Sequence, residues 1–228
     1  FHTIPLPGEA GYETWPKDAY KYAGGVNSWA GMSMDSQRGM VFMSLGSPTY
    51  DFYGADRVGE NLYGNCVLAL DAATGKHIWH YQTVHHDIWD YDLPAPPTLV
   101  KLNKNGKDID AVAQLSKQGF VFILDRESGK LVFPIEERPV PASNLPGEEA
   151  WPTQPFPLKP KAYARQLITE NDLTNFSLAD HDAVLKQFKS LRYEGLYTPP
   201  DLKGTLMFPG TRGGTNWGGG AFDPSTNM

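Results

Sequence analysis

The sequence contains a single cysteine, Cys66, among its 228 residues. One cysteine excludes an intrachain disulfide and the paired Cys-x-x-Cys ligands of structural zinc sites. No stretch of 18 apolar residues occurs, so no segment is a candidate for a membrane-spanning helix. Positive charge is also scarce: the formal net charge is −6, and such a chain has no overall field that attracts nucleic acid.

The composition is that of a folded, turn-rich protein. Hydrophobic residues make up 40% of the chain and charged residues 20%, which is enough apolar material for a packed core. The first residues, FHTIPLPGEAGYETWP, contain neither the basic nor the apolar region of a signal peptide, and the last, GAFDPSTNM, fall within a predicted strand–turn unit. We therefore expect the sequence to be part of a longer protein.

A repeated motif organises the β-rich part of the sequence. Residues 68–79 (LALDAATGKHIW) and 122–133 (FILDRESGKLVF) share an apolar stretch, an Asp, three residues, Gly-Lys and a second apolar stretch. Asp and Gly favour turns and the flanking residues favour strands, so each copy predicts a β-hairpin. A weaker similarity relates residues 27–40 to 215–228 and aligns Trp29 with Trp217 and Met40 with Met228.

These similarities predict the fold class. Hairpin modules at roughly 45–55 residue spacing are typical of β-propeller blades. The alternative is a β-sandwich with turns that are similar by chance. We predict an all-β propeller in which residues 1–228 belong to a single domain, with its clearest strands at 39–46, 65–71, 77–84, 111–117 and 120–125.

Residues 134–203 differ from the rest. They begin with a proline-rich stretch, and residues 177–192 then carry apolar residues at helical spacing behind Ser177, a candidate helix N-cap. We interpret 134–203 as an insertion, partly helical, that crosses one face of the β domain. Such a segment either shapes a pocket or shields a sheet edge.

Polar and aromatic residues are densest at residues 81–97, YQTVHHDIWDYDLPAPP. If this segment is extended, Asp90 and Asp92 lie on one side of the chain. Two carboxylates on one side are unfavourable unless they bind a cation, share a proton or are solvated. Such oxygen ligands suit Ca²⁺ or a related hard ion, although a solvated loop is the simpler interpretation. A zinc site made by His80, His85 and His86, as in a metal-dependent hydrolase, matches no strong zinc pattern.

Two further segments carry candidate site residues. Lys117 ends a predicted strand just before Gly119, a position where a lone lysine is usually a solvated charge. The segment GTRGGTNWGGGAFD (210–223) allows the backbone to approach a planar ligand closely, but it is not a phosphate-binding loop. Within it, Asn216 offers an amide beside Trp217, which is either a stacking surface for a ligand or a residue that packs in a blade.

Four segments together resemble the PQQ-dependent quinoprotein dehydrogenases, in particular the membrane-type glucose dehydrogenase branch. They are GSPTYDFYGADR (46–57), ALDAATGKHIWHYQTVHHDIWDYDLPAPPTL (69–99), SKQGFVFILDRESGK (116–130) and YTPPDLKGTLMFPGTRGGTNWGGGAFDP (197–224). Members of this family are longer, eight-bladed propellers. The resemblance therefore implies about four blades' worth of sequence here, with the remaining blades or other chains needed for closure.

The resemblance implies roles for individual residues. Asp90 corresponds to the family's general base, which acts on the substrate hydroxyl and also lies at the metal. Lys117 corresponds to a basic residue that is hydrogen-bonded to the quinone oxygens, where a cation stabilises developing negative charge. Asn216 and Trp217 correspond to a pair beside PQQ. Arg57 and Arg212 are further candidates to bind the carboxylates of PQQ.

The resemblance also implies a metal ion, Ca²⁺, with a lanthanide as an alternative. Asp90 and Asp92 would contribute carboxylate ligands. Many relatives have a metal-ligating Asn near the position of Ser47, and Ser is a weaker ligand, so Thr49 is a second candidate donor. An Asp equivalent to Asp92 helps to bind the metal in lanthanide-using relatives and also occurs in sugar-oxidising ones, which leaves the identity of the ion open.

The function implied by the resemblance is oxidation of an aldose sugar, polyol or alcohol by general-base-assisted hydride transfer to PQQ. Electrons would pass to a quinone or cytochrome, and the family works in the periplasm. The alternative is a non-catalytic propeller scaffold that keeps the blade repeats. A scaffold has no need of Asp90, Lys117 and Asn216, so the presence of this set favours the enzyme.

Overall fold

The computed structural model describes residues 1–226, which contain nine strands in three antiparallel sheets. The four-stranded sheet has the order β1-β2-β3-β4 and comprises β1 (Met32–Asp35), β2 (Met40–Ser44), β3 (Cys66–Asp71) and β4 (His77–Gln82). The three-stranded sheet comprises β5 (Thr98–Lys104), β6 (Lys107–Leu115) and β7 (Val121–Asp125), and the ribbon comprises β8 (Ile135–Pro139) and β9 (Thr153–Pro157).

The repeated motif forms the same turn in both larger sheets. The carboxylate of Asp71 accepts a hydrogen bond from the Thr74 N–H at 2.8 Å, and that of Asp125 accepts one from the Ser128 N–H at 2.9 Å. The Gly of each turn has a left-handed φ, 69° for Gly75 and 68° for Gly129. Such values favour glycine, so both predicted Asp…Gly turns are confirmed. The first turn joins β3 and β4 as the predicted hairpin, whereas the second is followed by only an isolated bridge between Leu124 and Leu131 and not by a paired strand.

The five predicted strands are confirmed as β2, β3, β4, β6 and β7, whereas the sequence does not predict β1, β5, β8 and β9. The two larger sheets resemble propeller blades. Residues 1–226 therefore contain two blade-like sheets, fewer than the four or so that the family resemblance implies. Residues 1–31 form only two short 3-10 helices, and 134–203 add a two-stranded ribbon. The weaker similarity between residues 27–40 and 215–228 does not correspond to matching strands. Strand β1 lies in the first segment, but the described residues after 215 contain no strand, and Met228 lies outside the described residues.

A shared core joins the two larger sheets. Phe42, Val67 and Trp79 of the first sheet pack in one cluster with Val112 and Leu124 of the second. These side chains are almost completely buried. Each one removes enough apolar surface from water to stabilise the pair of sheets by about 1.5–3 kcal/mol.

Charged side chains also link the two sheets. The Asp35 carboxylate at the end of β1 accepts hydrogen bonds from Arg126 at 3.0 Å and from Arg38 at 2.9 Å. Arg38 also reaches Asp110 of β6 at 2.7 Å. Burial acts to raise the pKa of Asp35, but the hydrogen bonds from Arg126 and Arg38 outweigh it and lower this pKa to about 2.

Asp35→Asn is expected to lower the free energy of unfolding by about 2 kcal/mol at pH 7, because it leaves the partly buried Arg126 without its anion. Since the folded-state pKa of Asp35 is lowered, its contribution is complete above 3.8 and is lost as the pH falls through about 2. Urea unfolding at pH 7 and at pH 2 measures both effects, with exposed Asp182→Asn as the control. An equal difference between Asp35→Asn and the wild type at both pH values would contradict this account.

Residues 134–203 contain the β8–β9 ribbon and the helix α1 (Leu178–Ser190). The Ser177 hydroxyl accepts a hydrogen bond from the Asp180 N–H at 3.1 Å, which confirms the predicted helix and its N-cap. No residue of α1 is buried, so the helix lies on the surface. The boundaries of this segment as an insertion stay a prediction. No helix within residues 1–226 combines the length and apolarity needed to cross a bilayer.

Candidate active site

The backbone conformation of the loop after β4 leaves the side chain of Asp90 partly exposed. The Asp87 carboxylate accepts hydrogen bonds from the N–H groups of Trp89 and Tyr91, both at 2.8 Å, on either side of Asp90. Asp90 itself has a φ of 56°, in the left-handed region that few non-glycine residues adopt. Trp89 and Tyr91 are fully buried, whereas the Asp90 side chain keeps 26% of its surface exposed.

Lys117 lies between the two aspartates that the sequence singled out. Its ammonium group is 3.2 Å from the Asp90 carboxylate and 3.1 Å from the Asp92 carboxylate, and it donates to the Asp90 carbonyl at 2.7 Å. The other Asp92 carboxylate oxygen accepts the Ser47 N–H at 2.5 Å. The structure therefore brings together four residues from three separate segments, Asp90, Asp92, Lys117 and Ser47, and their roles in the site stay a prediction.

This group of side chains is only partly accessible to water. The Lys117 side chain is 7% exposed and that of Asp92 15%. Burial raises the pKa of Asp90 to about 7; the Lys117 charge acts to lower it, and the Asp92 charge adds to the rise. A carboxylate with a pKa close to neutral pH is well matched to accept a proton from a substrate hydroxyl.

The donor set fits part of a hard-cation site. Asp90 and Asp92 supply carboxylate oxygens close to each other, and Ser47 adjoins them through its N–H. The Thr49 hydroxyl instead accepts a hydrogen bond from the Gly24 N–H at 3.1 Å. Residues 1–226 bring together no set of three His, Cys, Asp or Glu side chains suited to a metal, so further ligands would have to come from outside these groups.

The glycine-rich segment reaches the site through its backbone. The Gly214 N–H donates to the Lys117 carbonyl at 2.7 Å. Gly213 has a φ of 70°, and a Cβ at this position would lie 2.6 Å from the Lys117 Cα, so only glycine fits. Asn216 is exposed, and its amide oxygen accepts the Trp217 N–H at 2.8 Å. Trp217 is 75% exposed, so it does not pack inside a blade in this structure.

Trp29 is a site residue that the sequence suggested only as the repeat partner of Trp217. A Cβ on Gly46 would lie 3.3 Å from the Trp29 ring atom Cδ1 and 3.0 Å from the Asp92 carboxylate. The Trp29 side chain is thus beside Asp92, and 44% of the residue is exposed. No local pattern indicates this, because the two residues are distant in sequence.

Arg57 does not have the role that the family resemblance implied. It is fully buried, and its guanidinium donates to the carbonyls of Thr49, Tyr50 and Asp87. Its hydrogen bonds are thus used inside the protein, and it is not free to bind a cofactor carboxylate. Arg212, in contrast, is exposed.

The three histidines of the zinc alternative do not converge. His80 contacts His77 at 3.0 Å, His85 contacts Glu60 and Glu137, and His86 contacts Glu148. Burial lowers the pKa of His80 to about 4, so this ring is neutral near pH 7. The described part of the chain therefore gives no support to the zinc alternative of His80, His85 and His86, or to the hydrolase alternative that depends on it.

Comparisons with known proteins place this chain in a family. The family model described as "PQQ: Glucose/ethanol/alcohol dehydrogenase, beta-propeller domain" matches residues 1–228. The chain is 39% identical over 224 residues to a quinoprotein glucose dehydrogenase of Escherichia coli, and 40% identical over 223 residues to a quinate/shikimate dehydrogenase (quinone) of Acinetobacter baylyi. Each alignment covers 97% of this chain but only 28% and 27% of those relatives.

A solved structure agrees with the fold. The quinohemoprotein alcohol dehydrogenase from Comamonas testosteroni matches with a TM-score of 0.56 and 26% identity, over 89% of this chain and 25% of that one. The predicted propeller class is thus confirmed, with only part of a propeller present. The chain belongs to the family of PQQ-dependent glucose, ethanol and alcohol dehydrogenases and forms part of their β-propeller domain.

Proposed function

We propose that the protein to which this chain belongs oxidises a hydroxyl group of a sugar, polyol or alcohol with PQQ as its cofactor. The observation that carries the proposal is the position of Lys117, whose ammonium lies within 3.2 Å of both the Asp90 and Asp92 carboxylates. A non-catalytic propeller has no use for a buried lysine between two partly exposed aspartates. The family membership supports the same function.

Asp90 acts as the proton acceptor in this proposal. Its carboxylate is partly exposed and is held by Lys117, while burial raises its pKa to about 7. It therefore takes the proton of the substrate hydroxyl as the adjacent C–H bond is oxidised. PQQ, when bound, supplies the two-electron oxidant that accepts the hydride. On the inner side, fully buried Trp89 and Tyr91 exclude water from the backbone that carries Asp90.

Lys117 has two functions in the same proposal. It fixes Asp90 through a hydrogen bond to the carbonyl and an ion pair with the carboxylate of that residue. It also presents a cation on the side where an anionic quinone cofactor would bind, and preorganised charge of this kind stabilises negative charge that develops during reduction. The exposed faces of Trp29 and Trp217, with the Asn216 amide, are the groups we assign to contact with the cofactor.

The metal of this site is proposed to be Ca²⁺ or a lanthanide. Asp90 and Asp92 would hold it, with Ser47 and Thr49 as additional oxygen donors, and it would supply Lewis-acid polarisation of the quinone carbonyl. When Asp90 is ionised, the two carboxylates outnumber the single Lys117 ammonium, and this balance favours a further cation.

The relatives support a polyhydroxylated substrate. Their names specify glucose, quinate or shikimate, and glycerol, and all of these carry neighbouring hydroxyl groups. We propose a quinone or cytochrome as the electron acceptor and the periplasm as the location, both on the basis of the family.

Dye-linked oxidation tests the proposal on the whole protein reconstituted with PQQ and Ca²⁺. Glucose, quinate, glycerol and ethanol form the panel, and we expect PQQ-dependent dye reduction with at least one of the first three. Dye reduction that is equal with and without PQQ would contradict the proposal. PQQ binding without oxidation of any compound in the panel would favour a binding propeller.

A further inference from the structure

A buried ion pair joins the proline-rich segment to the loop that carries Asp90. Glu148 lies in the 134–203 segment, and its carboxylate is 2.7 Å from the His86 Nε2 atom, with side-chain exposures of 1% and 0%. The other Glu148 oxygen accepts a hydrogen bond from the Gly54 N–H. These contacts lower the pKa of Glu148, although burial opposes them. One glutamate therefore holds two distant segments at once.

His86 is fixed at both ring nitrogens. Its Nδ1 atom is 2.8 Å from the Gly59 carbonyl, which can only accept, and its Nε2 atom faces the Glu148 carboxylate. The Nδ1 atom therefore donates to the Gly59 carbonyl, and with Nε2 held against Glu148 the ring has a single orientation. The backbone of His86 has a φ of 44°, a strained value for a non-glycine residue. The ion pair thus fixes an uncommon backbone conformation four residues before Asp90.

The His86 ring lies next to the residues that orient Asp90. Arg57 packs against Gly54 beside the His86 ring, because a Cβ on Gly54 would lie 2.9 Å from the ring carbon Cε1 and 3.0 Å from the Arg57 Cζ. Arg57 donates to the Asp87 carbonyl at 2.6 Å, and the Asp87 carboxylate accepts the two N–H groups that flank Asp90. The path from Glu148 to Asp90 is therefore continuous and buried.

Stability alone is a weak reason for this arrangement. The desolvation cost of a buried ion pair often cancels its Coulombic gain, and an apolar replacement is frequently no less stable. What the pair supplies is a defined geometry. A misplacement of about 1 Å in a reacting group costs about 10²-fold in rate.

We propose that Glu148 is a positioning residue which, through His86, holds loop residues 86–92 so that Asp90 faces Lys117. The inference rests on the proposed function for the role of Asp90, but the structural part stands on these contacts alone. It gives the 134–203 segment a role in positioning Asp90.

The test compares Glu148→Ala, Glu148→Gln and the control Glu149→Gln in the whole protein. Glu149 is the exposed neighbour of Glu148. Without PQQ or substrate, we expect Glu148→Ala to speed amide hydrogen exchange of residues 86–91 by about tenfold or more, with less than about twofold change in β2, β3 and β6. With PQQ and substrate, kcat should fall about 10²-fold while KM stays within about threefold.

Glu148→Gln is the conservative variant. Its amide oxygen can accept from Gly54, and its amide N–H can donate to a neutral His86, so the pair is retained without charge. We expect about threefold faster exchange in residues 86–91 and most of the activity. If Glu148→Ala does not fold, Glu148→Gln tests the proposal in its place. Exchange rates of residues 86–91 in Glu148→Gln that equal those in Glu149→Gln would then overturn the proposal.

Two other results would also overturn the proposal. One is faster exchange that is spread evenly over the sheets and the loop of Glu148→Ala, which would show a purely structural role. The other is an unchanged kcat in an active protein. A wild type that oxidises nothing would instead contradict the proposed function, and the exchange measurement would still test the role of Glu148.

Discussion

Asp90→Asn is expected to lower kcat by about 10²–10⁴-fold, the range for loss of a general base, and to change PQQ affinity far less. Asn has the same shape but cannot take a proton. The loop should keep its conformation, because Asp87 binds the backbone N–H groups of Trp89 and Tyr91 and not the Asp90 side chain. Lys117 also retains the Asp90 carbonyl as an acceptor.

Steady-state oxidation, combined with a PQQ titration, measures the effect of Asp90→Asn. Asp182→Asn is the control, since this aspartate is exposed on α1. An Asp90→Asn protein that folds, binds PQQ and keeps kcat within tenfold of the wild type would show that another group accepts the proton.

Lys117→Ala is expected to weaken PQQ binding by about tenfold or more and to lower kcat by about 10²–10³-fold, as loss of a preorganised charge does. Without the ammonium, the Asp90 and Asp92 carboxylates face each other with no cation between them. Their repulsion disfavours the state in which both are ionised. The cofactor also loses its buried positive partner.

Lys117→Met separates charge from packing, because it keeps most of the side-chain volume and removes the ammonium. We expect the same losses in Lys117→Met as in Lys117→Ala. Lys107→Ala, at the exposed start of β6, is the control. Full activity of Lys117→Met would show that Lys117 only fills space.

Local patterns predicted the parts of the fold that depend on local contacts. The turns at Asp71 and Asp125 and the cap at Ser177 are built from residues within a few positions of each other. Strand β1 has only four residues and exposes its methionines while burying Asp35, and β5 mixes apolar residues with lysines. Their partners across the sheets define them as strands.

The candidate site also contains residues that the sequence identifies and residues that only the folded structure reveals. Asp90 and Lys117 could be named because the family resemblance assigned them, and the structure shows that they are in contact. The pairing of His86 with Glu148 spans 62 residues, and no sequence period connects the two. Arg57 was mistaken for a cofactor ligand because its sequence neighbourhood does not indicate that three backbone carbonyls surround it.

The central claim is that Asp90, Asp92 and Lys117 form one cation- and quinone-binding site. PQQ titration of the whole protein, with and without Ca²⁺ and alongside Lys117→Met, tests this claim most directly. The account predicts Ca²⁺-dependent PQQ binding that weakens by about tenfold or more in Lys117→Met. PQQ binding that is unaffected by both Ca²⁺ and Lys117→Met would contradict it.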